Sequence, residues 1–391
     1  MQDHGATVAE LLVAGQVVSS LLLVPLTIAV GCARVKVDGI GGVETVEAQR
    51  NKGYSRRVLE GTVRHMRQGS AALSMLYGIP DFYPKFGFAT AGPDYALQLR
   101  GLSRPADLPT GWTVRNCRPD DVPVIQRLYA EYTGGAVGAV ERAPDGRVWS
   151  TLAALATGVK VGDPDECRVV VGPSGRVDGY AWRGKHFWPV TSDFERAFPD
   201  SLVIGEVIAA STPAADAVLA VCRAWGAQAT TPRGEPVKDV VLSLPPEGLL
   251  YAAALRQDAR MLITSRLAED FMARTLDVAR LLNALKQELT ARCRSVPATP
   301  DASLRLETEI GAATLHITAA EVRVTADERA DHRPDTTLRL PQTELMRLAL
   351  GALPPADVLN RLDPPPDDRT RALVDGLFPQ RRPYLHLPDR I

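Results

Sequence analysis

The sequence predicts an α+β protein of three consecutive units, the first two built on mixed sheets. Three observations predict it. An order of strands, basic loop, helix, strand, turn and strand runs through the first hundred residues. A second unit of the same overall order begins at Trp112. A long amphipathic helix then leads into three alternating segments that read as a meander. The units are placed at 1–105, 106–287 and 288–391.

Residues 1–15 read as a short helical turn through Val8, Leu11 and Leu12. Gln16–Ser20 and Leu21–Val30 read as two strands about the Val24-Pro25 turn. Ala33–Val37 alternates and meets Asp38-Gly39-Ile40-Gly41-Gly42, a turn cluster whose first pair is a hairpin signal. Val43–Val46 is the next strand. The basic loop Arg50-Asn51-Lys52-Gly53-Tyr54-Ser55 separates it from a helix of Tyr54 to Gln68, with Val58, Leu59, Val63 and Met66 at helical spacing. Ala72–Tyr77 is apolar, as a central strand should be. A turn, Tyr83-Pro84-Lys85-Phe86-Gly87-Phe88, and a closing strand, Tyr95–Leu99, follow. Gly101–Gly111, with Pro105 and Pro109, is a linker.

In the second unit, Trp112–Arg115 alternates, and Arg118-Pro119-Asp120-Asp121 opens a helix to Tyr132 with acidic residues where capping favours them. Cys167–Val171, Gly179–Trp182, Leu202–Ala209 and Val240–Leu244 read as strands, and Ala214–Trp225 as a helix. The third unit's helix spans Leu267–Ala291. Its meander is Leu304–Ile310, Ala313–Ile317 and Glu321–Thr325, followed by a strand at Thr337–Leu340 and helices ending near Ala352 and Phe378. The tail from Arg381 to Ile391 is apolar enough to dock.

The formal net charge of −1 gives no global pull toward nucleic acid or an anionic membrane. Five scattered cysteines, without a C-x-x-C, argue for reduced thiols in a cytosolic compartment. The six histidines show no H-x-x-x-H pairing, so no metal site is expected. Val17–Val30 is apolar but too short to span a bilayer and lacks the flanks of a signal peptide.

The stretch from Val43 to Arg57 is a strand, a tight basic turn and a helix start. The first helical N–H groups have no intrahelical partners and the macrodipole favours an anion there. This loop and the later Tyr83–Phe88 turn together resemble the GNAT superfamily of N-acetyltransferases, whose acetyl-CoA loop reads R/Q-x-x-G-x-G/A and whose last strands often carry Y-x-x-F-G-F/Y. The three-unit order resembles the "enhanced intracellular survival" branch, with a degenerate second acetyltransferase unit and a sterol-carrier-protein-like third unit.

The resemblance implies acetyl-CoA as co-substrate and no metal. Its pantetheine arm would lie along Val43, Glu44 and Thr45, and its pyrophosphate on backbone N–H groups of Asn51 to Arg56, with Arg50, Lys52, Arg56 and Arg57 adding charge. Gly53 lets the backbone approach closely. Lys52, Tyr54 and Ser55 complete the cofactor set, Ser55 standing where glycine or alanine is usual. Tyr83 would protonate the leaving thiolate, and the carboxylate of Ile391 would act as base or orient the amine.

Two departures stand out. The stretch ahead of Gln16 is short, where two helices usually wall the acceptor pocket. The second unit has Ala209-Ala210-Ser211-Thr212-Pro213-Ala214 where a basic glycine loop would belong, so it is read as structural. Glu44 reads as a solvated edge residue, and His65 and His386 as surface or packing residues. Trp182, His186, Phe187 and Trp188 read as a packing cluster. The expected function is a cytosolic, oligomeric N-acetyltransferase for a small-molecule amine, a polyamine or aminoglycoside-like product, by direct attack without an acyl-enzyme. The alternatives are a non-catalytic CoA-binding protein and a lipid carrier acting through the third unit.

Overall fold

The computed structural model describes residues 5–102, 107–157, 164–184, 193–265, 270–295, 301–326 and 334–391. His186, Phe187, Trp188 and Pro105 lie outside the described residues; Trp182 is buried in a core with Ile125 and Trp149.

The first sheet opens with a hairpin of β1 (Thr7–Val13) and β2 (Gln16–Val30). Ala14 and Gly15, at φ 50° and 79°, make the left-handed pair that matches strand twist. This corrects the expected helical turn: Ala9 and Leu11 pack inward while Val8, Glu10 and Leu12 face out, a period of two. β2 also runs unbroken through Pro25. On the edge shared with β1 and, farther along, with Val137–Val140, Pro25 falls in the gap between the two partners, where a missing N–H costs no ladder bond.

β3 (Ala33–Thr45) is likewise one strand, turning from β2 at Gly31, φ 60°. Asp38-Gly39 is therefore mid-strand and not a hairpin turn. A register shift opposite Gly42, φ 55°, marks a bulge. Helix α1 (Tyr54–Gln68) crosses to β4 (Leu73–Gly78), which lies parallel to β3.

The next elements leave chain order. The strand Asp270–Thr275 pairs with β4 and with β5 (Ala89–Gly92), taking the place expected for β6 (Asp94–Leu99). β6 sits instead between Asp239–Leu242 and Ala259–Thr264 in a separate sheet. The third unit's helix is correspondingly shorter, Val278–Ser295. Phe271, Met272 and Ala273 are all buried, and a short run buried on both faces carries no period that separates strand from helix.

The expected strand Leu202–Ala209 is two strands in two sheets. Ser201–Ile204 runs parallel to Asp239–Leu242, and Glu206–Ala209 pairs with Val177–Trp182. Between them Gly205 passes so close to Gly184 that a Cβ would overlap its carbonyl oxygen. The third unit's sheet is as read: Ala302–Thr308, Gly311–Ile317 and Val322–Ala326 form the meander, with Thr336–Arg339 parallel to the first of them. Leu281, Leu282, Leu285 and Leu289 of the preceding helix are fully buried and join Val35 and Val37 of β3 to Leu304, Leu315 and Leu345 in one continuous core. At about 1.5–3 kcal/mol per buried leucine, that helix ties the first sheet to the last. Among the described residues no helix is long and apolar enough to cross a membrane.

Candidate active site

β3 and β4 are paired only from Val37–Gly39 to Leu73–Met75. Beyond that the two strands share no ladder, and their unpaired ends are the two arms of a fork. Val43, Glu44 and Thr45 end the β3 arm; the Ser19 hydroxyl donates to the Glu44 carbonyl at 2.7 Å, and Glu44 itself is exposed.

The basic loop follows. Asn51 and Gly53 are left-handed, at φ 62° and 76°. The first helical bond of α1 runs from the Arg57 N–H to the Gly53 carbonyl at 3.1 Å, so the N–H groups just before Arg57 have no helical acceptor. No acidic side chain occupies the first turn of α1. Arg50, Asn51, Lys52 and Arg56 are exposed, while Tyr54 and Ser55 are half-buried. A Cβ on Gly53 would meet nothing within 4 Å, so the glycine serves the turn and leaves the approach open. Arg50 Nε reaches the Thr45 carbonyl at 3.4 Å and Lys52 Nζ the Gln49 side chain at 2.8 Å, both local, exposed contacts. The loop fits a pyrophosphate through these N–H groups and cations. The equivalent helix of the second unit, Thr212–Gln228, is closed by its own cap: Ser211 Oγ accepts from the Ala214 N–H at 3.3 Å.

Tyr83 opens a single 3₁₀ turn, Tyr83–Phe86, beyond the β4 arm. Its buried ring lies edge-on to Phe82 and Phe88 and covers Gly78, where a Cβ would come within 2.2 Å of it. Two residues that local sequence patterns do not mark hold this turn. The Gln342 side chain donates to the Gly87 carbonyl at 2.6 Å and accepts from the Thr275 N–H at 2.7 Å. Arg274 donates to the Phe86 carbonyl.

Ile391 reaches the other arm. Its Cδ1 would be 1.9 Å from a Cβ on Gly39, and its carboxyl carbon 3.4 Å from one on Gly41. Tyr83 therefore packs at the end of the β4 arm on the face of Leu76 and Ile40, and Ile391 lies against Gly39 and Gly41 of the β3 arm on the opposite face. The tail is threaded through the core to get there. The Tyr384 N–H bonds the Val137 carbonyl at 2.8 Å, and its hydroxyl the Ser243 carbonyl. Leu387 packs with Ala96, Val203 and Val241.

A buried ionic cluster anchors the tail. Arg142 makes a bidentate pair with Asp389, at 2.9 Å to each oxygen, and another with Glu206, and it stacks 3.9 Å over Tyr129. The Tyr180 hydroxyl donates to Glu206 at 2.7 Å, and His386 Nδ1 lies 3.4 Å from it. Burial alone would push the Glu206 carboxyl up, but Arg142, His386 and the Tyr180 hydrogen bond outweigh it and hold it below its ordinary range. Burial pushes His386 down, against the pull of Glu206, and pushes the Tyr129 phenol up. His386 is therefore a buried, neutral ring and not a surface residue, whereas His65 is exposed.

A pH dependence follows. The unfolded chain binds a proton at His386 near pH 6.5 and the fold only at lower pH, so its stabilising contribution is present above that value and is lost as pH falls. The urea midpoint is expected to drop between about pH 7 and 5.5, and His386→Gln to flatten that part of the profile. An unchanged slope in the variant would assign the drop to other groups.

Residues 4–91 match the family model of an acetyltransferase (GNAT) domain. No curated protein matches the chain. Solved structures resemble it over nearly its whole length. A GCN5-related N-acetyltransferase from Kribbella flavida is 18% identical, with a TM-score of 0.68 over 96% of this chain and 85% of that one. One from Anabaena variabilis is 17% identical, with 0.67 over 96% and 88%. Eis1 from Mycobacterium abscessus is 17% identical, with 0.59 over 97% and 89%. Among the described residues no group of three or more His, Cys, Asp or Glu side chains could hold a metal ion. Residues 4–91 are thus similar to a GNAT acetyltransferase domain, and the chain shares its overall fold with these solved structures.

Proposed function

We propose that the protein is an acetyl-CoA-dependent N-acetyltransferase that acts on an amine by direct attack in a ternary complex. The observation that carries this reading is the unpaired ends of β3 and β4, with an anion-ready loop after the β3 arm, Tyr83 at the end of the β4 arm and Ile391 against the β3 arm. Acetyl-CoA supplies an activated thioester, whose acyl carbon the amine nitrogen attacks as the C–S bond breaks. The loop from Arg50 to Arg56 binds the pyrophosphate through backbone N–H groups and the charges of Arg50, Lys52 and Arg56. Val43, Glu44 and Thr45 offer backbone groups to the pantetheine arm. Tyr83 gives its phenolic proton to the departing sulfur. The Ile391 carboxylate orients the acceptor, which attacks as the neutral amine after giving one proton to solvent; the nitrogen then loses a second proton to that carboxylate as sulfur gains one from Tyr83, which is reprotonated from solvent.

The acceptor is a small amine of the polyamine or aminoglycoside type. The four-stranded sheet and helices of residues 288–391 support a sterol-carrier-protein-like scaffold. The exposed Val8, Leu12, Val13 and Val17 at the sheet edge support a homo-oligomer.

The test is thiol release from acetyl-CoA across a panel of amines, with wild type, Tyr83→Phe and a variant lacking Ile391. Amine-dependent release is expected, slowed about 100-fold or more in kcat by each change, as for a lost general acid or base. Acetyl transfer that neither change slows would overturn the residue roles. No amine consumed and no CoA bound would overturn the enzyme reading.

A further inference from the structure

The last two residues of the tail touch both arms of the fork. Arg390 donates to Asp94 Oδ1 at 2.7 Å and to Ser243 Oγ at 3.4 Å, and its guanidinium lies 4.4 Å over the Tyr77 ring and 5.0 Å over that of Phe194. Tyr77 belongs to β4 and Asp94 opens β6. Ile391, one residue on, lies against Gly39 and Gly41 of β3. The Arg390 and Asp94 side chains are only 5% and 9% exposed. A pair this buried adds little net stability over apolar side chains of the same size, because desolvation offsets the attraction. What it does supply is direction: a guanidinium held on an aromatic face by a carboxylate has few alternative placements.

We propose that Asp94 and Arg390 are a positioning pair, which with the Tyr77 ring sets the final residue against Gly39 and Gly41 of the β3 arm and so governs the rate of acyl transfer. This rests on the function proposed above. Neither residue touches the reacting atoms; both act through Ile391. The Arg142 cluster fixes the tail upstream at Asp389 and leaves the last step to Arg390.

Removing one partner alone would strand a buried charge and blur folding with function. The decisive variant is therefore the double Asp94→Asn/Arg390→Met, compared with Arg390→Lys. Thermal midpoint, CoA affinity, kcat and the rate at which carboxypeptidase releases Ile391 are measured for each. In the double variant the midpoint and CoA affinity are expected to stay near wild type. There kcat falls about tenfold or more and release of Ile391 accelerates by a similar factor, as for a misplaced reacting group. Arg390→Lys, which keeps the charge on Asp94, retains more of both.

If the double variant has wild-type kcat and wild-type release, the pair is structural only and the proposal is overturned. If release accelerates while wild type itself acetylates nothing, the tail is positioned as proposed and the functional reading is what fails. If kcat falls with release unchanged, the pair does not act through the tail and the proposal is also overturned.

Discussion

Gly39→Val is expected to slow acyl transfer about 100-fold while leaving the fold intact, because a misplacement of about 1 Å at a reacting group costs that much. The position has no room for a side chain on the tail's side. A Cβ would lie 1.9 Å from Ile391 Cδ1 and 3.2 Å from the Val24 carbonyl oxygen. Alanine meets chiefly the tip of a flexible side chain, which can rotate aside, so Gly39→Ala should cost only a few-fold. Valine adds two methyl groups and pushes the terminal residue away from the β3 arm. The lost factor corresponds to ~2.7 kcal/mol of barrier. Strand stability should not fall in step, since glycine in a strand interior is itself unfavourable by about 0.5–1 kcal/mol. A compensating change sharpens the test: Ile391→Val removes Cδ1, and Gly39→Ala/Ile391→Val should recover the activity of Ile391→Val alone. The measurements are kcat with a saturating amine and the thermal midpoint. Wild-type kcat in Gly39→Val, or a midpoint that collapses with kcat, would rule out tail displacement as the cause.

The same glycines show where sequence reading stops. Asp38-Gly39-Ile40-Gly41-Gly42 reads as a turn, because a missing side chain signals a tight turn and a close approach equally. What approaches is Ile391, and nothing local announces it. The loop and helix start proposed for the cofactor were legible because their signal is local: a basic loop, one left-handed glycine and a helix start lie within a few residues. The Tyr83–Phe88 turn was legible for the same reason, whereas its clamps come from Arg274 and Gln342. Apolar runs hid strand exchange. Phe271–Ala273 carries no period to mark it as a strand of the first sheet, and Leu202–Ala209 carries none to show the break at Gly205. The tail's content predicted docking, through Tyr384, Leu385 and Leu387. Its partners Arg142, Glu206 and Asp94 are polar residues from three distant segments, which periodicity assigns to surface.

Arg142→Met carries the largest expected stability effect, a loss of about 3–5 kcal/mol, the usual result of stranding buried charge. The Arg142, Glu206 and Asp389 side chains are 3%, 0% and 4% exposed, so water cannot replace the guanidinium. Two carboxylates then share an apolar site with His386. In the wild type Arg142 helps burial to keep His386 neutral. Without it Glu206 and Asp389 favour the protonated ring, which moves the folded-state pKa upward. A His raised in this way stabilises below its unfolded value and loses that contribution as pH rises, the reverse of the wild-type dependence. The variant should therefore be most impaired near pH 8 and partly restored near about pH 6, seen as a shrinking gap between the two urea midpoints. Neutralising the partners as well, in Arg142→Met/Glu206→Gln/Asp389→Asn, should return most of the loss and remove the pH dependence of the gap. A single-variant loss below about 1 kcal/mol would mean that the two carboxylates find other cations or water, and that the tail is held by its apolar residues alone.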